Sequence, residues 1–349
     1  MNKKIIVIIF VIISTVILSG CSIKTSATKS DGGIFKTTDF GSNWIQKSFV
    51  ENTEEGVITI GRTNTNFLVF DPIDEDTIYL STTGNGVYAT TNSGDQWFPT
   101  TLSSGTYKSL SIDRRNNDVV YVTEGKNIFK SVDGFKTWNN IYIENRPGQI
   151  ITSVIVDRFK PNVVYAATTT SILKSFDYGN SWELLDWEGI VIIYMAQSEI
   201  NPNNLYALTN SGIYKSTNNA LEWILMSEGL TEYPGGNVIT WFQFDPKTEN
   251  IILGTNFGII RSTDGANTWH DIPTLFEFKK IAIKPVIYNP NDLSELIFAV
   301  GNVIYKTDDS GATWKTLKTV ATTRTINYLI ADPYHDDVIF AGTYQAPTK

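Results

Sequence analysis

The sequence has 349 residues, with 28 Lys and Arg against 36 Asp and Glu, and a formal net charge of −8. This acidic balance, without a window of clustered basic residues, argues against binding to nucleic acid or to an anionic lipid surface. A single cysteine rules out an internal disulfide, so a hydrophobic core must stabilise the folded part.

The first twenty residues predict an export signal. Lys3 and Lys4 precede an apolar run from Ile5 to Leu18 that ends at small residues. The run holds 14 residues, whereas a helix that crosses a bilayer needs about 20, so a permanent transmembrane anchor is the less favoured alternative.

The four residues Leu18-Ser19-Gly20-Cys21 resemble the bacterial lipobox. The resemblance implies cleavage before Cys21 and attachment of a diacylglycerol to its sulfur. We therefore assign residues 1–20 to a lipoprotein signal peptide and residues 21–32, which are small and polar, to the lipidated cysteine and a flexible tether. The expected location is extracytoplasmic, on the cell membrane or the outer membrane. Ser22 is not the Asp of inner-membrane retention, which favours the outer membrane where one exists.

An eight-residue pattern recurs seven times beyond the tether. Its form is Ser/Thr, any, Asp/Asn, any, Gly, any, any, Trp, although not every copy has the glycine. The copies, called the eight-residue repeats below, are TTDFGSNW (37–44), TTNSGDQW (90–97), SVDGFKTW (131–138), SFDYGNSW (175–182), STNNALEW (216–223), STDGANTW (262–269) and TDDSGATW (307–314). Their starts lie 41 to 53 residues apart, the length of a four-stranded propeller blade.

Each unit is predicted to contain four strands and no helix. Short β-branched and aromatic runs alternate with turn residues, as in NFLVFDP (66–72) followed by TIYLST (77–82). A third strand such as GIFKTT (33–38) enters the repeat, and a fourth begins at its tryptophan. The chain starts at a third strand and ends after a second strand near Val338 to Thr343. We therefore expect one all-β domain, residues 33–349, forming a seven-bladed propeller that is closed by strands from both ends.

The repeats resemble the Asp-box, or bacterial neuraminidase repeat, of sialidases, xyloglucanases, sortilin-type receptors and photosystem II assembly factors. At the third position a carboxylate or amide can accept backbone N–H groups of the turn, glycine at the fifth position permits positive φ, and the tryptophan packs across the turn. We interpret these residues as structural: Asp39, Asn92, Asp133, Asp177, Asn218, Asp264 and Asp309, with Trp44, Trp97, Trp138, Trp182, Trp223, Trp269 and Trp314. The fifth repeat lacks both Asp and Gly, which predicts a differently built turn at Asn218 to Glu222.

Ligands of propellers usually bind the face that carries the turns from strand two to three and the blade-to-blade loops. On that face the long loops hold side chains that strand or repeat spacing does not explain. The candidates for a ligand surface are Arg62, Arg146, Trp187, Tyr233, Phe276, Phe278 and Arg324. For each aromatic residue, packing over the end of its own blade is the alternative.

Enzymatic readings find less support in the sequence. A sialidase gathers three arginines around the axis, but the Arg-Ile-Pro motif of sialidases is absent, and Arg114, Arg158 and Arg261 fall at turns or beside a repeat. A glycosidase needs two carboxylates in one cleft, for which Glu54, Glu55, Glu188 and Glu232 are loop candidates. His270 and His335 form no metal-ligand motif.

We therefore expect a binding or scaffold protein that recognises a protein, a peptide or a surface polymer through propeller loops, acting as a monomer without a cofactor. The alternative is a glycan-cleaving hydrolase that uses loop carboxylates. A structural role in envelope assembly is a third possibility.

Overall fold

The computed structural model describes residues 30–187, 189–245, 248–275, 283–289, 291–317 and 319–346. They form seven four-stranded antiparallel sheets and one two-stranded hairpin. First strands of neighbouring blades contact one another, for example β13 (Ile151–Val156) with β9 (Ser109–Asp113), and therefore line the axis of the ring. The prediction of an all-β, seven-bladed propeller is confirmed.

In blades 2 to 7 the four strands follow one another along the chain from the axis to the rim. Blade 2 contains β5 (Thr65–Phe70), β6 (Ile78–Thr82), β7 (Val87–Thr90) and β8 (Phe98–Pro99). Blade 3 contains β9, β10 (Asn116–Glu124), β11 (Asn127–Ser131) and β12 (Asn139–Ile143); blade 4 contains β13, β14 (Val164–Thr168), β15 (Ile172–Ser175) and β16 (Glu183–Leu185).

The next three blades repeat this order. Blade 5 contains β17 (Ile192–Gln197), β18 (Leu205–Thr209), β19 (Gly212–Ser216) and β20 (Ile224–Leu225). Blade 6 contains β21 (Ile239–Phe244), β22 (Ile251–Thr255), β23 (Ile259–Ser262) and β24 (His270–Ile272); blade 7 contains β25 (Val286–Asn289), β26 (Asp292–Val300), β27 (Val303–Thr307) and β28 (Lys315–Thr316). Every fourth strand begins one residue after the tryptophan of its repeat.

Blade 1 closes the ring with strands from both ends of the chain. It contains β29 (Thr325–Ala331), β30 (Ile339–Tyr344), β1 (Ile34–Thr37) and β2 (Ile45–Gln46). β1 pairs with β30 in the register Ile34 with Gly342 through Thr37 with Ile339, as predicted. The buried Thr343 hydroxyl accepts a hydrogen bond from Gly33 N (2.8 Å) and donates one to Gly33 O (3.1 Å).

Two short elements of the blade-to-blade loops were not predicted. β3 (Phe49–Thr53) and β4 (Gly56–Thr59) form a hairpin between blades 1 and 2, and Glu54 and Glu55 make its exposed turn. A 3₁₀ helix, η1 (Glu228–Glu232), lies between blades 5 and 6.

The hydrophobic core is divided among the blade interfaces. The described residues form seven apolar clusters, and each cluster combines side chains of two neighbouring blades. Trp97 of blade 2, for example, packs with Ile34 and Phe340 of blade 1. Each interface buries the apolar surface of both blades, so no blade has a complete core of its own.

The eight-residue repeats form seven turns with the same hydrogen bonds. In every copy the side-chain oxygen of the third residue accepts from the first-position hydroxyl and the seventh-position N–H, at 2.7 to 3.0 Å. In the third repeat, the Thr137 hydroxyl and backbone N–H are the main hydrogen-bond donors that lower the pKa of Asp133 to about 2. Asn218 makes the same pair of bonds, which corrects the expectation that the fifth turn is built differently.

The fourth and fifth residues of every repeat have positive φ. Glycine is not required for this backbone: Phe135, Ala220 and Ala266 hold the fifth position at φ of 68°, 69° and 76°. The turn bonds fix the conformation that these side chains would otherwise disfavour. At this position Phe135 also stacks on Tyr79 of blade 2, with ring centroids 4.1 Å apart.

The tryptophans pack across their own turns and also reach the preceding blade. A Cβ placed on Gly179 would lie 3.4 Å from Trp182, consistent with the expected packing. In addition, the indole N–H groups of four tryptophans donate to acceptors of the preceding blade: Trp97 to Lys47 O, Trp138 to Thr101 Oγ1, Trp269 to Met226 O and Trp314 to Pro273 O. The tryptophan that packs across each of these four turns therefore also joins two neighbouring blades.

A basic residue directly before the repeat makes a second inter-blade bond. The ammonium groups of Lys36, Lys130, Lys174 and Lys215 donate to the fourth-position carbonyl of the next blade's repeat, at 3.0 to 3.1 Å. Burial lowers the pKa of Lys36, Lys130 and Lys174. The sequence carried a signal for this contact, since six of the seven repeats follow a Lys or Arg.

The two faces of the ring are distinguished by their turns. In six blades the backbone N–H of the fourth repeat residue donates to the turn between strands one and two of the same blade, as in Ser93 to Asp76 O. We call the face that carries these turns the lower face. The upper face carries the turns between strands two and three and the blade-to-blade loops.

Candidate ligand-binding surfaces

The three arginines proposed for the upper face are not gathered into one site. Arg146 makes a two-point ion pair with Glu144, with Nε to Oε1 at 2.9 Å and Nη2 to Oε2 at 2.6 Å, and donates to Ser171 Oγ. The Glu144 side chain is 1% exposed, and its hydrogen bonds from Arg146 are the largest cause that lowers its pKa. Arg146 thus neutralises a buried carboxylate between blades 3 and 4.

Arg324 instead binds the segment through which the chain enters the propeller. Its Nε lies 3.3 Å from Asp31 Oδ1, and the Thr323 hydroxyl donates to the other oxygen of Asp31 at 2.6 Å. Its Nη1 donates to the carbonyl of Arg62, whose side chain is exposed. These contacts lie in blades 1 and 2, apart from those of Arg146.

The residues on either side of Asp31 are also bound to the propeller, so the predicted tether ends before residue 30. Gln46 donates to the carbonyls of Ser30 and Gly32, and Gly32 N donates to Gly61 O at 3.0 Å. Residues 30–32, which the sequence assigned to a flexible tether, are therefore bound to the upper face. Cys21 and the rest of residues 1–29 lie outside the described residues.

The loop aromatics that are described pack against their own protein. Trp187 donates to Ile190 O at 2.8 Å and contacts Tyr214 and Trp223 of blade 5 edge to face. Tyr233 donates to Trp269 O at 3.1 Å and packs on Phe257. Both pack against the following blade, and not over the end of the blade that precedes them as the alternative expected. Phe276 and Phe278 lie outside the described residues.

A charged cluster that the sequence analysis set aside lies on the axis. Arg114 of blade 3 and Arg158 of blade 4 both bind Oε2 of Glu199 in blade 5, and the Arg114 contact is 2.8 Å. Arg114 and Glu199 are separated by a whole blade, so their contact crosses the lower mouth of the central channel. We call Arg114, Arg158 and Glu199 the axial cluster.

The axial cluster occupies one equivalent position in three consecutive blades. In six blades a polar residue at the end of the first strand accepts N–H groups of the following turn, as Asp157 does for Phe159 and Lys160. The next position is Pro in blades 1, 2, 6 and 7, and Arg114, Arg158 and Glu199 in blades 3, 4 and 5. In three blades a charged residue therefore stands where the other four have the turn proline. This difference could have predicted the cluster, but it becomes visible only when the seven blades are aligned with one another.

Aromatic side chains line the channel above this mouth. Trp241 of blade 6 meets Tyr328 of blade 1 with ring centroids 5.2 Å apart. Tyr194 of blade 5 is 44% exposed, and burial together with the charge of Glu199 raises its pKa. Tyr194 is near enough to Glu199 and to Tyr328 to affect the electrostatics of both neighbours, which places it between the axial cluster and the aromatic part of the channel.

Two grooves lie at the rim on either side of blade 4. The first, of about 370 Å³, lies between blades 3 and 4 and is lined by Tyr142, Ile143, Glu144, Asn145, Arg146, Leu173, Trp182 and Leu184. The second, of about 400 Å³, lies between blades 4 and 5 and is lined by Asp186, Trp187, Tyr214, Leu221, Glu222 and Trp223. Leu184 of the first groove and Leu221 of the second are each 61% exposed, so each groove has an apolar edge that is open to solvent.

The loop carboxylates considered for catalysis do not line these grooves where the structure describes them. Glu54 and Glu55 lie at the hairpin turn, Glu232 ends η1, and Glu188 lies outside the described residues. Asp186 and Glu222, by contrast, line the same groove. Within the described part of the chain no group of three His, Cys, Asp or Glu residues could hold a metal ion, and no helix there is long and apolar enough to cross a membrane.

The fold and its closure define a seven-bladed β-propeller, and solved structures share it at low sequence identity. YCF48 bound to a D1 peptide matches with a TM-score of 0.63 and 15% identity over 81% of this chain and 94% of that one. YCF48 from Cyanidioschyzon merolae gives 0.62 and 16%, over 80% and 96%.

The GH74 xyloglucanase from Xanthomonas campestris gives a TM-score of 0.63 and 13% identity over 86% of this chain and 52% of that one, so this chain spans about half its length. No protein-family model and no curated protein sequence matches the chain. At these identities the likeness shows the fold alone.

Proposed function

We propose that this protein is a lipid-anchored, extracytoplasmic binding protein that captures an extended peptide segment at the rim of blade 4. The main observation behind this proposal is the pair of grooves on either side of β16. β16 is the last strand of its sheet, so one edge of its backbone can accept another strand. Alternate side chains of an added strand point to opposite sides and would enter the two grooves.

The groove linings favour a particular peptide chemistry. Ile143, Trp182 and Leu184 give the first groove an apolar wall beside the Glu144–Arg146 ion pair, whereas Asp186 and Glu222 give the second groove two carboxylates. A segment with aliphatic residues on one side and a basic residue on the other complements both grooves. A structural neighbour, YCF48, has been solved with a peptide, which supports this class of ligand without placing it.

The proposed anchor would leave this rim accessible. Residues 30–32 are held on the upper face, and the nine residue-to-residue steps from Cys21 to Ser30 span at most about 32 Å when extended. A lipid on Cys21 would keep the upper face near the membrane, with the rim and the lower face open to soluble partners. Membrane extraction of the wild type and of Cys21→Ser, followed by acyl-chain mass spectrometry, tests the anchor separately.

Selection of random displayed peptides on the purified protein tests the binding site. We expect the enriched peptides to be extended and apolar with a basic residue, and Leu184→Asp or Leu221→Asp to weaken their binding about tenfold or more. Ile45→Asp is the matched control, because Ile45 is 62% exposed on the outer strand of blade 1. Equal loss in the control, or no effect of the groove variants, would refute the proposal.

A glycan-cleaving hydrolase is the second candidate, because Asp186 and Glu222 share one groove beside Trp187 and Trp223. Glycosidases act through two carboxylates about 5 to 9.5 Å apart. Trp187 and Trp223 pack edge to face on each other, which leaves little free ring surface for a sugar to stack on. Hydrolysis of xyloglucan that Asp186→Asn and Glu222→Gln both abolish would establish this function in place of peptide capture.

A further inference from the structure

We infer that the lower mouth of the central channel is a carboxylate-binding site, in which Glu199 acts as an internal competitor for Arg114 and Arg158. The site lies on a different face from the rim grooves and is independent of peptide capture there.

The two guanidinium groups have donors to spare. A guanidinium carries five N–H donors in a planar fork that matches a carboxylate. Arg114 donates to Glu199 through Nη2 alone, and its side chain is 47% exposed. Among the described residues, the Arg158 guanidinium likewise binds Glu199 alone. Two positive charges thus share one carboxylate oxygen, so cationic groups outnumber anionic groups by one within the axial cluster.

The neighbouring acids do not cancel this charge through direct contacts. Asp113, Asp157 and Asp332 accept backbone N–H groups of their own turns, and Asp71 in addition binds the Asn117 amide. Arg115, one residue after Arg114, donates to Phe159 O and makes no contact with Glu199 among the described residues. The position that interrupts the turn prolines in blades 3, 4 and 5 therefore supplies the charges that meet on the axis.

Glu199 sets the affinity because it binds the same two arginines that a ligand carboxylate needs. Burial raises the pKa of Glu199, and the charge of Arg114 opposes this rise. Tyr194 continues the surface into the channel and offers an aromatic wall to the body of the ligand. The expected ligand is a carboxylate with a flat or apolar body, from either a peptide C-terminus or an acidic sugar.

Probes of both sources can be compared by NMR titration of the full-length protein. N-acetyl-tyrosine and glucuronate carry the carboxylate, and N-acetyl-tyrosinamide and glucose are their neutral partners. We expect at least one carboxylate to bind about tenfold more tightly than its neutral partner, and the tighter of the two identifies the source. Equal binding of a carboxylate and its neutral partner, or no binding of either carboxylate at millimolar concentration, overturns the inference.

Variants separate the site from general charge effects. Arg114→Gln should weaken carboxylate binding about tenfold, whereas Glu199→Gln, which removes the competitor, should strengthen it. Arg115→Gln removes the same charge one residue away and should leave binding within about twofold. Weaker binding by Glu199→Gln in a variant with an unchanged unfolding midpoint would mean that Glu199 orients the arginines and does not compete, and would overturn the inference.

Discussion

Replacing Thr343 with valine tests whether the paired chain ends hold the ring closed. Valine has nearly the same shape but lacks the hydroxyl that bonds both Gly33 N and Gly33 O. The buried Gly33 N–H then has no acceptor, which costs about 1 to 3 kcal/mol. We take a loss of about 2 kcal/mol. Since about 1.4 kcal/mol corresponds to a tenfold change in an equilibrium constant, β1 should open about 30-fold more often.

Hydrogen–deuterium exchange of the peptide that contains Ile34–Thr37 measures this opening under native conditions. Thr209→Val is the control, because Thr209 occupies the equivalent place in blade 5 and donates to Gly212 O at 2.8 Å. The Thr209 hydroxyl also accepts from the N–H of Ser211, but Ser211 is exposed, so in the variant water can accept this hydrogen bond. A short turn also keeps β18 and β19 together. Exchange in β19 should change less than about threefold. Unchanged exchange of β1 in Thr343→Val would refute the role of this bond in closure.

Two further predictions concern the repeats. Trp97→Phe should lower the free energy of unfolding by about 2 to 4 kcal/mol, because it leaves a cavity and removes the hydrogen-bond donor to Lys47 O. Trp44→Phe should lower it less, since the buried Trp44 N–H has no partner among the described residues. Urea unfolding compares the two variants, and equal losses would contradict a role for the inter-blade bond. The pKa of Asp133, about 2, lies below its ordinary value of 3.8, so its stabilising effect is present above about pH 4 and is lost as the pH falls towards 2. Asp133→Asn should therefore flatten the decline of the urea midpoint over this range, and an unchanged decline would refute that role.

Much of the fold could be predicted because each blade repeats a local code. Trp, Asp or Asn, and a Ser or Thr recur at fixed positions in the seven copies, and their bonds form within eight residues. The strand pairing of Ile34 with Gly342 also followed, since a third strand at one end of the chain complements strands one and two at the other. The fifth turn was mispredicted because Asn218 can accept the same hydrogen bonds as an aspartate.

The candidate sites were less predictable, since they depend on which blades face one another. Arg146 and Arg324 were predicted to face a ligand because they lie in blade-to-blade loops. In the structure Arg146 is paired with the buried Glu144, and Arg324 is paired with Asp31, just before the first strand. Arg114 and Arg158 were set aside as turn residues, and yet they meet on the axis. No local pattern states that residues 85 positions apart, such as Arg114 and Glu199, approach within hydrogen-bonding distance.

The sequence by itself determined the number of blades and the turns, because these follow from a pattern that is repeated within each unit. It also determined the closure, because the two strands that one end of the chain lacks are supplied by the other end. Only the tertiary structure decided which polar side chains remain available to a ligand. Closing seven blades into a ring brings equivalent positions of different blades to one axis and leaves other charges paired at the blade interfaces. The chemistry of the surface is therefore a property of the assembled ring.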